Sequence, residues 1–512
     1  MSTNEAPTIT IASDGLAFLP SEVVTEAPRG VVNVNVADVD NDGDLDLVVG
    51  TYFGDSGAHV LLNDGTGNFT LGAKITANIA WRTVVADLDG DGNVDFASID
   101  YANETTVWHK GNGDGTFGTA QQLAEGTQHV IAADDFDGDG DLDVVTLASS
   151  AINLQENNGD GTFSETAIAS GVTGAYSVAV GDIDGDGSLD LVATTSTADF
   201  LAYLGDGNGG FTAADSQSLK DGLGLRYGLE NVKLADIDGD GNLDAVAISA
   251  NDQGIYLLKG NGDGTFAEAE VVASGRVGGL PPTVDFEILD INGDGRLDIV
   301  APSMGTTPSG GGTLSWFEQK TDGSFEEHVI ESAVHTTASE FVDIAAADFN
   351  GDGAPDLLSS GDVRDSAGGT TSYVRIASSS PSLLVDENAP TAVTGVSFTD
   401  DQVGPVVVTF SVDRGTLSAV TGGGVTVGGT ETEVTLTGTV ADINAFISGG
   451  NLTFLTDLHD ETAAVLTVSI DDQDSDAPAT ATTELLLAVE PMFDEAPTDV
   501  SIDNATIAED AA

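Results

Sequence analysis

The residues best equipped for chemistry recur in one nine-residue stretch, D-x-[DN]-x-D-G-x-x-D, that begins at Asp38, Asp87, Asp135, Asp182, Asp236, Asp290 and Asp348. Positions 1, 3, 5, 7 and 9 are Asp38, Asp40, Asp42, Asp44 and Asp46 in the first copy, and Asp87, Asp89, Asp91, Asn93 and Asp95 in the second. They are Asp135, Asp137, Asp139, Asp141 and Asp143 in the third, and Asp182, Asp184, Asp186, Ser188 and Asp190 in the fourth. The last three copies supply Asp236, Asp238, Asp240, Asn242 and Asp244; Asp290, Asn292, Asp294, Arg296 and Asp298; and Asp348, Asn350, Asp352, Ala354 and Asp356. Alternate oxygen-bearing side chains point at one centre, and the Gly at position 6 permits a sharp turn. Position 7 shares no side-chain chemistry, which suits a backbone carbonyl ligand, and the Asp at position 9 is expected to close the shell. A flexible shell of about six to eight hard oxygens is what Ca2+ takes, so about seven calcium sites are expected. An EF-hand also opens with D-x-D-x-D-G but requires Glu at its twelfth position and flanking helices. Position 12 here is Val49, Ser98, Thr146, Ala193, Ala247, Ala301 or Ser359, so that reading is rejected.

The elements that hold these loops follow from their spacing. Successive copies are 49, 48, 47, 54, 54 and 58 residues apart, and a four-stranded propeller blade needs about 40–50. One apolar run enters each loop, as in Thr83–Ala86, another leaves it, as in Leu47–Val49, and a third follows, as in Val60–Leu62. A Gly-rich turn then ends in Phe69, Phe117, Phe163, Phe211, Phe266 or Phe325, which opens a fourth run. Four short strands with turn signals between them make a blade. The chain is therefore expected to be all-β, with a seven-bladed β-propeller over residues 13–385. A strand at about 16–25 would close the last blade beside Tyr373–Ile376 and cover the edge that an open ring exposes.

Residues 386–492 carry Thr- and Val-rich runs such as Val406–Phe410 and Ala464–Val468 between Gly-rich turns, a pattern that suits a β-sandwich. Near-copies of one Pro-bearing segment stand at Asn4–Thr8, Glu387–Thr391 and Asp494–Thr498. They read as stiffened joints, with residues 1–12 a linker and 493–512 a linker plus the start of a further module. The chain would then be a piece of a longer one with flanking modules.

With these motifs in hand, residues about 13–380 resemble the FG-GAP or VCBS repeats of integrin α-chain propellers and many bacterial secreted proteins. The resemblance implies a seven-bladed propeller with calcium loops between the first and second strands of its blades. Residues 386–492 resemble the Ig-like or cadherin-like modules of large bacterial RTX-type adhesins, through their Thr/Val/Gly texture, the linkers and Leu436–Asn444.

Composition narrows the function. The 512 residues include 85 acidic and only 14 basic ones, for a net charge of −71. Such a balance argues against nucleic acid and anionic membrane surfaces, which select basic patches. There is no Cys, hence no disulfide or thiolate chemistry. No apolar run is long enough to insert in a membrane, and the first residues lack the basic and apolar regions of a Sec signal. An extracellular or cell-surface location is expected, because extracellular modules fill at about 10⁻⁴–10⁻³ M calcium. The face away from the loops should bind a glycan or protein partner through Tyr52, Phe53, Trp81, Arg82, Tyr101, His129, Tyr176, Arg226 and Tyr227. Packing between blades is the competing role for each of them. Two rival readings stand beside this adhesin-like one: a glycan-active enzyme, either a polysaccharide lyase or a glycosidase, and a purely structural spacer. The six His are scattered, with no H-E-x-x-H or G-x-S-x-G, which counts against an enzyme, although spacing alone does not exclude a carboxylate pair facing a cleft.

Overall fold

The structure is a computed structural model. It describes residues 8–490 apart from 12–14, 19–21, 25–27, 29, 52–55, 78–81, 101–102, 126–128, 220–222, 224, 226–227, 250–253, 275–284, 293, 304–312, 333–338, 352–353, 365–369, 378, 387–388, 395, 400–403, 457–463, 472 and 474–479. The chain divides into two compact units, one of residues 20–379 and one of residues 1–19 with 380–512.

The described residues of the first unit form seven four-stranded antiparallel sheets. The first runs through Val31–Ala37, Asp46–Thr51, Gly57–Asn63 and Phe69–Thr76 in simple up-and-down order. Five more follow the same plan within residues 84–124, 129–170, 175–218, 231–274 and 287–332. The seventh joins Ser339–Ala347, Asp356–Arg364 and Thr370–Ala377 to a strand from the other end of the unit, Glu22–Val23. Burial peaks at the second strand, with the first strand more exposed than it. The second strand of the first sheet, DLVVGT, is buried throughout, and so are its counterparts Asp95–Asp100, Asp190–Thr195 and Asp244–Ser249. A strand covered on both faces reads as a near-continuous apolar run rather than an alternating one. The outer strand Phe69–Thr76 is half exposed.

From the first to the sixth, each sheet packs face to face on the next. Val48 and Val60 meet Phe96, Leu88 and Trp108 meet Val144, and Val145 and Ile152 meet Val178 and Leu191. Phe200 meets Val232 and Ala245, and Val246 and Ile255 meet Phe286 and Ile299. The seventh sheet returns to the first through Phe349, Leu358 and Val374 against Leu47 and Val49.

The second unit is built on a seven-stranded sheet. Its order is Gly15–Phe18, Ser379–Asp386, Thr480–Glu490, Ala464–Asp471, Val406–Val412, Glu433–Gly438 and Thr426–Gly429. Val406–Val412 alternates buried and half-buried residues, as a sheet with one covered face requires. The cover includes a small sheet of Thr391–Ala392, Leu452–Leu455 and Thr416–Ala419, and a helix, α1 (Val440–Ser448). Helical spacing sets Ile443, Phe446 and Ile447 on one buried face, and Thr439 caps the N-terminus by accepting from the Asp442 N–H.

Three particulars differ from the sequence expectation. Residues 8–11, expected in a linker, pair as a strand with Val396–Thr399. Of the expected closing strand at 16–25, Glu22–Val23 lies beside Arg375 and Ile376, whereas Gly15–Phe18 joins the second unit's large sheet. The units therefore part near residues 20 and 379 rather than 13 and 385, because apolar Gly15–Phe18 finds a sheet edge before the chain reaches the seventh sheet. The third is α1, where strands alone were expected. Residues 491–512, which include the last Pro-bearing segment, lie outside the described residues.

Candidate metal centres

Each acidic stretch is the turn between the first and second strands of a sheet, and its own side chains fold it. In the first, Asp38 accepts the N–H groups of Asp42 and Gly43 at 3.2 and 3.1 Å, and Asp42 accepts the N–H of Asp44 at 3.0 Å. The same contacts recur at Asp87 and Asp91, at Asp182 and Asp186, and at Asp236 and Asp240. Gly43 sits at φ +98°, where a side chain would be strained. Among the loop residues expected as ligands, Asp352 lies outside the described residues.

The ninth position does more than close a shell. Asp46 is fully buried and spans two backbone segments: one oxygen accepts the Val39 N–H at 3.0 Å, the other the Asn63 N–H at 2.8 Å. Asp95, Asp143, Asp190 and Asp244 repeat this bridge between loop and third strand. Sequence reasoning gave the second position no role. It is apolar in every copy, from Val39 and Leu88 to Phe349, and is buried throughout. Its carbonyl is held by the neighbouring sheet: Asn63 donates to Phe349 O at 2.8 Å, Asn157 to Leu88 O at 2.7 Å and Gln319 to Ile237 O at 2.8 Å.

At Asp44 and Asn93 the seventh position turns its side chain away from the loop centre, whereas Arg296 pairs with Asp294 of its own loop. A Cβ on Gly65 would stand 2.5 Å from the Asp44 carboxylate, and one on Gly113 2.1 Å from Asn93 Oδ1. Position 7 therefore packs over the turn glycine at the end of the third strand, which leaves its backbone carbonyl as the group available to an ion.

The electrostatics favour a cation. Carboxylate oxygens lie within 4.8 Å of one another in Asp38–Asp40–Asp42, Asp87–Asp89–Asp95, Asp135–Asp137–Asp143 and Asp182–Asp184–Asp190. Burial, with a smaller contribution from neighbouring carboxylates, pushes Asp46, Asp95, Asp143 and Asp298 up to about 6. Burial likewise raises Asp40 and Asp137 at the third position. One oxygen each of Asp40 and Asp89 is buried without a hydrogen-bond partner. A buried carboxylate oxygen without a donor is costly, and a bound cation would satisfy it. The donor set, all hard oxygen, fits Ca2+ rather than a soft transition metal. A different group, Glu318, Glu326 and His328 on the sixth sheet, already holds an ammonium: Lys320 lies 2.7 Å from each Glu.

Of the residues expected to bind a partner, Tyr52, Phe53, Trp81, Tyr101, Arg226 and Tyr227 lie outside the described residues. The other three, from successive sheets, meet at the ends of the innermost strands away from the acidic loops. Arg82 donates from its guanidinium to the Tyr176 carbonyl. His129 is pushed down to about 4 by burial and by Arg82, so it is neutral at pH 7. The Arg82 contact ties the second sheet to the fourth, which is a packing role.

A polar belt runs along the innermost strands. Ser177 donates to Asn231 at 2.8 Å and Asn231 to Asp285 at 2.6 Å. Lys233 pairs with Asp285 and Glu287, and Asp343 accepts the Val34 N–H across the junction of the last and first sheets. The signal for it was present: Asn33, Arg82, Ser177, Asn231, Asp285 and Asp343 each stand five residues before a loop.

The FG-GAP-like repeat family matches residues 38–98, 135–193, 186–247, 236–301 and 290–359. Among solved structures, an Agrocybe aegerita lectin described as recognising non-reducing terminal N-acetylglucosamine is 19% identical, with a TM-score of 0.46 over 72% of this chain and 95% of that one. The β-propeller domain of Vanderwaltozyma polyspora Nup133 is 12% identical, with a TM-score of 0.40 over 73% of this chain and 100% of that one. No curated protein matches the chain.

Proposed function

We propose that this chain, which belongs to the FG-GAP-like repeat family, is a calcium-stabilised recognition segment of a secreted or cell-surface protein and not an enzyme. In this reading the seven sheets are the blades of one closed propeller, and residues 380–490 are an Ig-like or cadherin-like sandwich. The observation that carries it is the buried, unpartnered oxygen of Asp40 and of Asp89 at the centre of a repeated all-oxygen loop. Side chains at positions 1, 3, 5 and 9, with the carbonyl of position 7, would hold each ion. Bound Ca2+ supplies charge neutralisation, and binding to the folded state alone stabilises it. The partner, a glycan or an extracellular protein, would meet the opposite end of the sheets, where Arg82, His129 and Tyr176 gather. Aromatic and cationic side chains gathered at the strand ends of a rigid scaffold suit recognition.

The test is a calcium titration of chelated protein by calorimetry and thermal melting, followed by glycan-array and surface-protein binding in calcium buffer. Several ions bound per chain, a higher melting temperature and a saturable ligand are expected. A melting temperature indifferent to millimolar calcium would overturn the calcium reading. Turnover of a glycan would overturn the non-enzymatic one.

A further inference from the structure

The seven loops are not equal: their own side chains differ, and so does one residue outside them. At the end of the third strand in each of the first six sheets, or two residues past it in the second and fifth, stands the residue whose N–H ties the ninth-position Asp: Asn63, Gly111, Asn157, Gly205, Gly260 and Gln319. The residue just before it is Leu62, Lys110, Glu156, Leu204, Lys259 and Glu318 in that order. In the second sheet the Lys110 ammonium rests on the Asp89 carboxylate and lies 2.7 Å from Asp91. In the fifth, Lys259 lies 3.0 Å from Asp238. These are the third- and fifth-position carboxylates of the loops. The fourth loop is the natural control. It has the same four carboxylates as the second and fifth, but Leu204 stands where they have Lys.

We propose that Lys110 and Lys259 are built-in counter-ions that make the second and fifth loops weaker calcium sites than the fourth. This inference rests on the calcium reading above. A Ca2+ ion entering either loop must share the carboxylates with a fixed positive charge a few ångströms away. Repulsion of that kind at a half-exposed site lowers affinity by about tenfold or more. The same ammonium neutralises part of the loop when calcium is scarce. Filling should therefore be graded along the sheets: the fourth loop fills before the second and fifth, which fill only as calcium rises further.

The experiment is a chelator-buffered calcium titration of the full chain, read by equilibrium dialysis, for wild type, the double variant Lys110→Met/Lys259→Met and the reverse variant Leu204→Lys. Methionine keeps the stem of the side chain and removes its charge. The double variant should move two sites per chain to about tenfold tighter binding, and Leu204→Lys should move one site about tenfold weaker. Wild-type and double-variant isotherms that superimpose, with several ions bound in each, would overturn this inference and leave the calcium reading standing. No calcium bound by wild type would overturn both.

Discussion

At the scale of single residues, the ninth-position Asp governs how the loops respond to protons. Asp46, Asp95, Asp143 and Asp298 titrate near 6 in the folded chain, above the ordinary 3.8, chiefly because they are buried. A folded acid whose value is raised binds its proton more tightly than the unfolded chain does. Its contribution to stability is complete below about pH 4 and is lost as pH rises through 6. Metal-free protein should therefore melt at a higher temperature at pH 5 than at pH 7.5, as differential scanning calorimetry in a chelator would record. Calcium competes for the same oxygens, so the loaded protein should reverse that order. Asp89, with its unpartnered oxygen, gives the matching substitution: Asp89→Asn should weaken calcium binding at one site by about tenfold through the lost ligand charge. An unchanged isotherm would remove Asp89 from the ligand set. The loop residues were legible in the sequence because the same types recur at the same offsets. The bridge made by position 9 was not, since its partners, such as Asn63 for Asp46, lie on another strand.

At the scale of elements, the turn after the third strand and the acidic loop constrain each other. Gly113 sits at φ +68° with Asn93 Oδ1 where its Cβ would be. Gly113→Ala should cost about 1–2 kcal/mol from the backbone conformation alone, read as a lower denaturation midpoint. A neutral result would mean that Asn93 swings aside and the turn relaxes. In the second unit, Thr439→Ala removes the cap of α1 and should cost about 1 kcal/mol; no loss would show that the cap is not holding the helix in place. Strand order within residues 31–332 was readable because apolar runs alternate with turn signals. The helix was not legible because Leu436–Asn444 mixes Thr, Val and Gly, and tertiary burial of Ile443, Phe446 and Ile447 is what fixes it. The N-terminal strands were divided between units because four apolar residues carry no mark of which edge they will join.

At the scale of the whole molecule, a net charge of −71 means that the chelated chain repels itself. Raising sodium chloride from about 0.15 to 1 M shortens the screening length from about 8 to 3 Å, so the melting temperature of the metal-free protein should climb with salt. A fall would show that specific ion pairs, not general repulsion, dominate. The first unit also has an unusual seam. Its seventh sheet is completed by a strand of two residues, Glu22 beside Ile376 and Val23 beside Arg375. The pair is antiparallel, so the chain enters and leaves the unit on the same side of it. Once the pairing of Gly15–Phe18 with Ser379–Asp386 gives way, tension on the two ends would load Glu22–Ile376 first and Val23–Arg375 next, opening them in turn as a zipper rather than shearing them together. The chain could then yield at low force by releasing one short strand, giving a small extension before any of the other six sheets is strained. Force spectroscopy would see it as a low step ahead of the main rupture.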